Sequence, residues 1–210
     1  MDLYASDEEK GEEIKQWWRD NGTSVVVGLL LAVAVFMGGR YWQTGQQSHL
    51  TLAANHYQQL TVFLADSKVD EAISEGDRLF SEFSDTPHAV FAAFALAKQS
   101  ASIDDLTATK SYLEWVVGHA KLSAQKATAE LRLAQVLIQQ DEYSAAHSVI
   151  QRSEAGAFAS QFKELEGDIF IAQEKYSEAE QAYRTVLAGL DSNDPRYMLI
   201  KLKLDDVNGS

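Results

Sequence analysis

The chain has 210 residues, with 31 Asp and Glu against 18 Lys and Arg, a formal net charge of −13, and no cysteine. An acidic surface repels phosphate backbones and argues against a nucleic-acid partner, and the missing cysteines exclude disulfides, thiolate metal sites and cysteine catalysis. Only two prolines interrupt a sequence rich in Ala, Leu, Gln and Glu, which argues against a sandwich or barrel and predicts an all-α fold.

Residues 1–22 read as an acidic tail: three basic residues (Lys10, Lys15, Arg19) against seven acids give −4, leaving −9 for the remainder. Residues 1–13 are expected to lack fixed structure, as polar chain ends do. The run TSVVVGLLLAVAVFMGG then follows, with Trp17-Trp18 before it and Arg40-Tyr41-Trp42 after it. Counted as residues 23–42, it reaches the ~20 residues that cross ~30 Å of hydrocarbon at ~1.5 Å each. Aromatic residues prefer the membrane interface, and three of the four tryptophans stand at the ends of this run. A signal peptide would carry a basic leader and a small-residue cleavage site, both poorly supplied here, so the expectation is a retained transmembrane helix. Three basic residues precede the span and Arg40 alone follows it closely, which places the tail in the cytoplasm and residues 43–210 on the far side. Ser24, Gly28, Ala32 and Gly39 lie near one face of the span, where small residues let another helix approach closely in lipid.

The residues Asn21-Gly22, Val27-Gly28, Gly38 and Arg40-Tyr41-Trp42, preceded by Tyr4, Ile14-Lys15 and Trp17-Trp18, resemble the amino-terminal signature of the YfgM family, ancillary subunits of the bacterial SecYEG translocon. The resemblance is close over tail and anchor and extends further in layout rather than in letters. It implies a single-pass protein of the bacterial inner membrane with a tetratricopeptide-repeat-like (TPR-like) domain in the periplasm. The implied partners are the SecYEG translocon, the periplasmic prolyl isomerase PpiD and unfolded secretory chains.

Beyond the span, residues 43–66 predict a helix that continues it outward, and residues 69–83 a second helix closed by Ser84-Asp85-Thr86-Pro87. The later chain repeats. Aligning Leu133-Ala134 with Glu166-Gly167 sets Tyr143 on Tyr176 and Ala146 on Ala179, an offset of 33 residues, close to the ~34 of a tetratricopeptide repeat. A weaker copy lies 37 residues earlier, with Leu96-Ala97 in the small-residue slot, Leu106 in place of the Tyr and Thr109 in place of the Ala. Residues 196–204 predict a short helix that covers the open end of the array, with residues 205–210 loose. The expected architecture is a single N-terminal transmembrane helix followed by a TPR-like α-solenoid.

No phosphate-binding loop, nucleophile elbow or His-Glu-x-x-His pair occurs in the sequence, and no enzymatic activity or cofactor is expected. His49 and His56 are seven apart and lack a third ligand, so they are expected to be ordinary exposed histidines. The repeats offer a groove instead. In this repeat type the first helix of each pair lines the concave face, and the register brings Leu131, Gln135, Ile138 and Gln139 beside Glu164, Asp168, Ile171 and Ala172. Phe91, Phe94 and Lys98 follow from the weaker copy, although Phe91, Phe94 and Leu131 fit a core role equally well. Such a mixture suits a polypeptide segment held by modest apolar contacts. A membrane-anchored scaffold for another envelope complex is the alternative.

Overall fold

The computed structural model describes the backbone of residues 7–154 and 156–209, and the side chains of all of these except 7–10 and 208. Among them every regular element is helical. The chain divides into two compact units, one through Thr51 and one from Leu52 onward. Helix α1 is continuous from Asp7 to Ala65 and contributes to both.

In the first unit α1 begins at Asp7, so the expectation of an unstructured tail fails for residues 7–13; Tyr4 and the rest of residues 1–6 lie outside the described residues. Extending an existing helix fixes only one more residue for each added hydrogen bond, so a long helix propagates readily into a polar segment before it. Leu29, Leu30, Leu31, Phe36 and Met37 are all more than three-fifths exposed within this chain. The most apolar 18-residue window of the helix has a mean hydropathy of 2.1 and is only 6% buried. Among the described residues this surface is left uncovered, unlike that of a core helix. At the approach to the window, Asn21 Nδ2 donates to the Trp17 carbonyl at 3.1 Å, and the Trp18 ring lies over Gly22, where a Cβ would stand 3.3 Å from it.

The second unit stacks helical hairpins. Leu52–Ala65 of α1 pairs with α2 (Val69–Glu82), α3 (Pro87–Ser102) with α4 (Leu106–His119), α5 (Ser123–Gln139) with α6 (Tyr143–Arg152), and α7 (Ala159–Ala172) with α8 (Tyr176–Gly189). A 3₁₀ turn at Gly156–Phe158 leads into α7, and α9 (Tyr197–Asn208) ends the stack. Pro87 opens α3 at its first turn, with Thr86 as N-cap accepting from the Ala89 N–H and donating to the Phe83 carbonyl at 2.7 Å.

All four hairpins turn in the same way. Ser67, Asp104, Asp141 and Glu174 each adopt φ near +60°, spaced 37, 37 and 33 residues apart. At each turn the following N–H reaches back five residues: Lys68 to Phe63, Asp105 to Ser100, Glu142 to Leu137 and Lys175 to Phe170, at 2.8–2.9 Å. This is the Schellman closure, normally reserved for Gly, here carried by polar residues at a cost of about 1 kcal/mol each. The shared geometry makes the first hairpin a repeat unit as well, beyond the three copies legible in the sequence.

Small residues set the spacing within pairs. Ala97, Ala134, Ala146 and Ala179 are buried, and Thr109, standing where Ala is expected, is also buried, its hydroxyl donating to the Asp105 carbonyl at 2.8 Å. Glu166, standing where Leu is expected, is buried but bonded to Gln151 and Lys163. His56 departs from its expected exposure: its Nδ1 lies 2.6 Å from Glu75 Oε2, and its ring packs 5.5 Å from that of Phe83. The end of the chain departs too, because α9 continues through Asn208. Val207 joins Ile200 and Leu204 against Ala179, Tyr183 and Val186 of α8, so that burial holds a segment expected to be loose.

Candidate functional site: the face of the first helices

Five of the groove residues read from the repeat register line two cavities in the second unit. One, of about 420 Å³, lies between α3 and α5 over α4 and gathers Lys98, Gln135 and Gln139 with Arg132, above a floor that includes Leu113 and Val136. The other, of about 310 Å³, lies between α7 and α9 over α8 and gathers Asp168 and Ile171 with Tyr183, Lys203 and Asp206. They occupy equivalent positions, since Lys98, Gln135 and Asp168 follow one another at the repeat offsets of 37 and 33.

The remaining predicted residues line neither cavity. Phe91 is 42% exposed, with its ring 6.1 Å from that of Tyr57. Phe94 is half-buried beneath the Arg132 guanidinium, 5.3 Å from the ring centroid, a cation–π contact that holds the arginine's position. Leu131 and Ile138 are half-buried against the central core, and Ala172 is exposed. Glu164 and Asp168 are not open groove acids. Lys203 of α9 bonds both, at 2.9 Å to Glu164 Oε1 and 2.7 Å to Asp168 Oδ1, and the Tyr183 hydroxyl donates to Asp168 at 2.7 Å. Burial and the neighbouring carboxylates push the Tyr183 hydroxyl far above its ordinary pKa. Lys203 is also raised, the two carboxylates outweighing its desolvation.

Arg132 and Lys203 are the residues that the sequence reading missed. Arg132 stands three residues before Gln135 on α5, hence on the same face, and that spacing was the signal available. Lys203 follows Asp168 by 35 residues, a further repeat interval, so α9 occupies the place of a next first helix as well as closing the stack. A larger cavity of about 700 Å³ opens among α4, α5 and α6, where Lys110, Lys126 and Arg152 are offset by Glu114 and the buried Glu130. Lys110 is bonded to Glu142, Ser153 donates to Glu130 and Arg152 Nε donates to the Ser148 carbonyl, so three of its five charged side chains are held within the chain. Among the described residues no cluster of His, Asp and Glu suited to a metal ion occurs.

The helical-hairpin stack and its registered turns have a counterpart among known families. Residues 15–209 match the tetratricopeptide repeat-like domain family. The chain belongs to that family. Three curated relatives of this tetratricopeptide repeat-like protein are each named ancillary SecYEG translocon subunit. The one from Haemophilus influenzae is 25% identical over 99% of this chain and 100% of its own length. The one from Neisseria gonorrhoeae is 25% identical over the same shares. The one from Escherichia coli is 24% identical over 92% of this chain and 91% of its own. The family match begins within α1 before the apolar run, so the helix and the tetratricopeptide repeat-like array are matched together.

Proposed function

We propose that the chain is a non-catalytic ancillary subunit of the Sec translocon, anchored in the bacterial inner membrane by residues 23–42. Residues 1–22 lie in the cytoplasm and residues 43–210 in the periplasm. There the TPR-like array binds partner proteins: the translocon, the prolyl isomerase PpiD and unfolded secretory chains. The observation that carries this reading is the end-to-end correspondence with relatives that bear the translocon-subunit name. An apolar helix left uncovered among the described residues supports the anchor, and two cavities on one face of the array support peptide binding.

The mechanism is placement. A single span keeps the array beside the exit of the channel, so weak contacts act at high effective concentration and release their client readily. Ser24, Gly28, Ala32 and Gly39 give the span a face on which a neighbouring helix can approach closely; among the described residues, a Cβ at Gly28 or Gly39 would meet nothing within 4 Å beyond the adjoining backbone of its own helix.

Protease added to intact spheroplasts is expected to digest the array and leave a protected fragment containing the span. A tag at the amino terminus is expected to copurify translocon subunits from mild detergent. Protection of the array would reverse the orientation, and recovery of a different envelope complex without translocon subunits would favour the scaffold reading.

A further inference from the structure

The cavity between α3 and α5 carries two cations and no carboxylate in its lining, within a chain whose acids outnumber its bases 31 to 18. Among the described residues neither Lys98 nor Arg132 is ion-paired. The equivalent cavity between α7 and α9 differs, because Lys203 there is bonded to Glu164 and Asp168. Lys110 and Lys163 elsewhere in the array are likewise paired, with Glu142 and Glu166. Asp104 reaches the edge of the α3–α5 cavity through Gln139, whose Nε2 donates to it at 3.4 Å, and leaves both cations open.

We propose that this cavity selects partner segments by their acidic side chains: an extended stretch in which Asp or Glu alternates with aliphatic residues, lying along α3 and α5. The inference rests on the reading of this face as the partner-binding surface and adds its specificity. Arg132, steadied over Phe94, presents a planar fork that suits a carboxylate, and Lys98 supplies a second positive charge. Gln135 and Gln139 each carry both donor and acceptor atoms, which suits the backbone of an extended segment. Leu113 and Val136 give its aliphatic side chains an apolar floor. Two cations in a strongly acidic chain are too few to hold a phosphate backbone, whereas they match one or two carboxylates.

The test uses the full chain in nanodiscs and fluorescent twelve-residue peptides with amidated C-termini. One alternates Asp or Glu with Leu and Val, a second replaces each acid by its amide, and a third is the amide version with a free C-terminus. At low salt the acidic peptide is expected to bind about tenfold more tightly than its amide counterpart, a margin that shrinks in high salt. Lys98→Gln and Arg132→Gln are each expected to weaken it about three- to fivefold and together to remove the preference. Lys126→Gln, at the larger cavity, should leave it intact, and unchanged thermal transitions confirm that all variants fold. Equal binding of acidic and amide peptides, a preference that follows the free C-terminus, or a preference that survives the double substitution would each overturn the inference. Client crosslinks from Gln135 that persist in the double variant would overturn it as well, while leaving the partner-binding reading intact.

Discussion

Gly167→Ala is expected to lower the thermal transition of the full chain in detergent by roughly 4–8 °C, although alanine is the better helix former. A Cβ at this position would lie 2.5 Å from Tyr183 Cε1 and 2.9 Å from Cδ1 and Cζ. The ring cannot step aside, because Tyr183 is 2% exposed and its hydroxyl is bound to Asp168. Overpacking of this kind costs ~1–3 kcal/mol and more where no side chain can yield, against about 1 kcal/mol gained in propensity. A net loss of ~2 kcal/mol corresponds to the stated fall for a unit of this size. Gly76→Ala is the control. Its Cβ meets only Leu96 Cδ1 closely, at 2.5 Å, and although Leu96 is also buried its methyl is the end of a flexible side chain that no hydrogen bond holds, so a smaller fall is expected. Placing Gly167→Ala in a Tyr183→Leu background should remove most of its cost, since the two positions couple through one contact. An unchanged or raised transition for Gly167→Ala alone would show that α7 and α8 are not packed as described.

The second large effect appears at alkaline pH. Tyr183 and Lys203 hold their protons more tightly when folded than at their ordinary values of 10.0 and 10.5. Above those values the unfolded chain releases protons that the folded chain keeps, so stability falls as pH rises. The contribution is complete below about pH 10 and is withdrawn as pH climbs toward the folded pKa values. Thermal melts should therefore be flat from pH 7 to 9 and decline beyond 10, with Tyr183→Phe flattening the decline. At neutral pH Lys203→Met leaves Glu164 and Asp168 without their shared cation. A fully buried pair loses ~3–5 kcal/mol when broken, and about 1–3 kcal/mol is expected here because all three side chains keep some solvent contact. An alkaline decline unaffected by Tyr183→Phe would place its origin elsewhere.

Much of the array was legible because helix pairing constrains small residues. The slots at Ala134, Gly167, Ala146 and Ala179 repeat in the sequence for the same reason that they are buried in the structure: a larger side chain would force the helices apart. The αL turns were harder to read, since Ser67, Asp104, Asp141 and Glu174 stand where Gly would advertise that geometry. Lys203 was hidden because its partners lie on another helix 35 and 39 residues away, and an acidic stripe on α7 reads as open groove until α9 covers it. His56 illustrates the same limit, its pairing with Glu75 being a contact between helices rather than a local pattern. The tail was misjudged because composition alone does not show that a long helix downstream can propagate into it.

The claim that this face of the array receives polypeptide at the membrane is tested most directly by a photoreactive residue at Gln135 or Ile171 in cells actively exporting proteins. Adducts with translocon subunits, the prolyl isomerase or nascent secreted chains are expected from both positions, and far fewer from Ser148 at the larger cavity. Equal labelling from all three positions, or none from Gln135 and Ile171, would contradict the account.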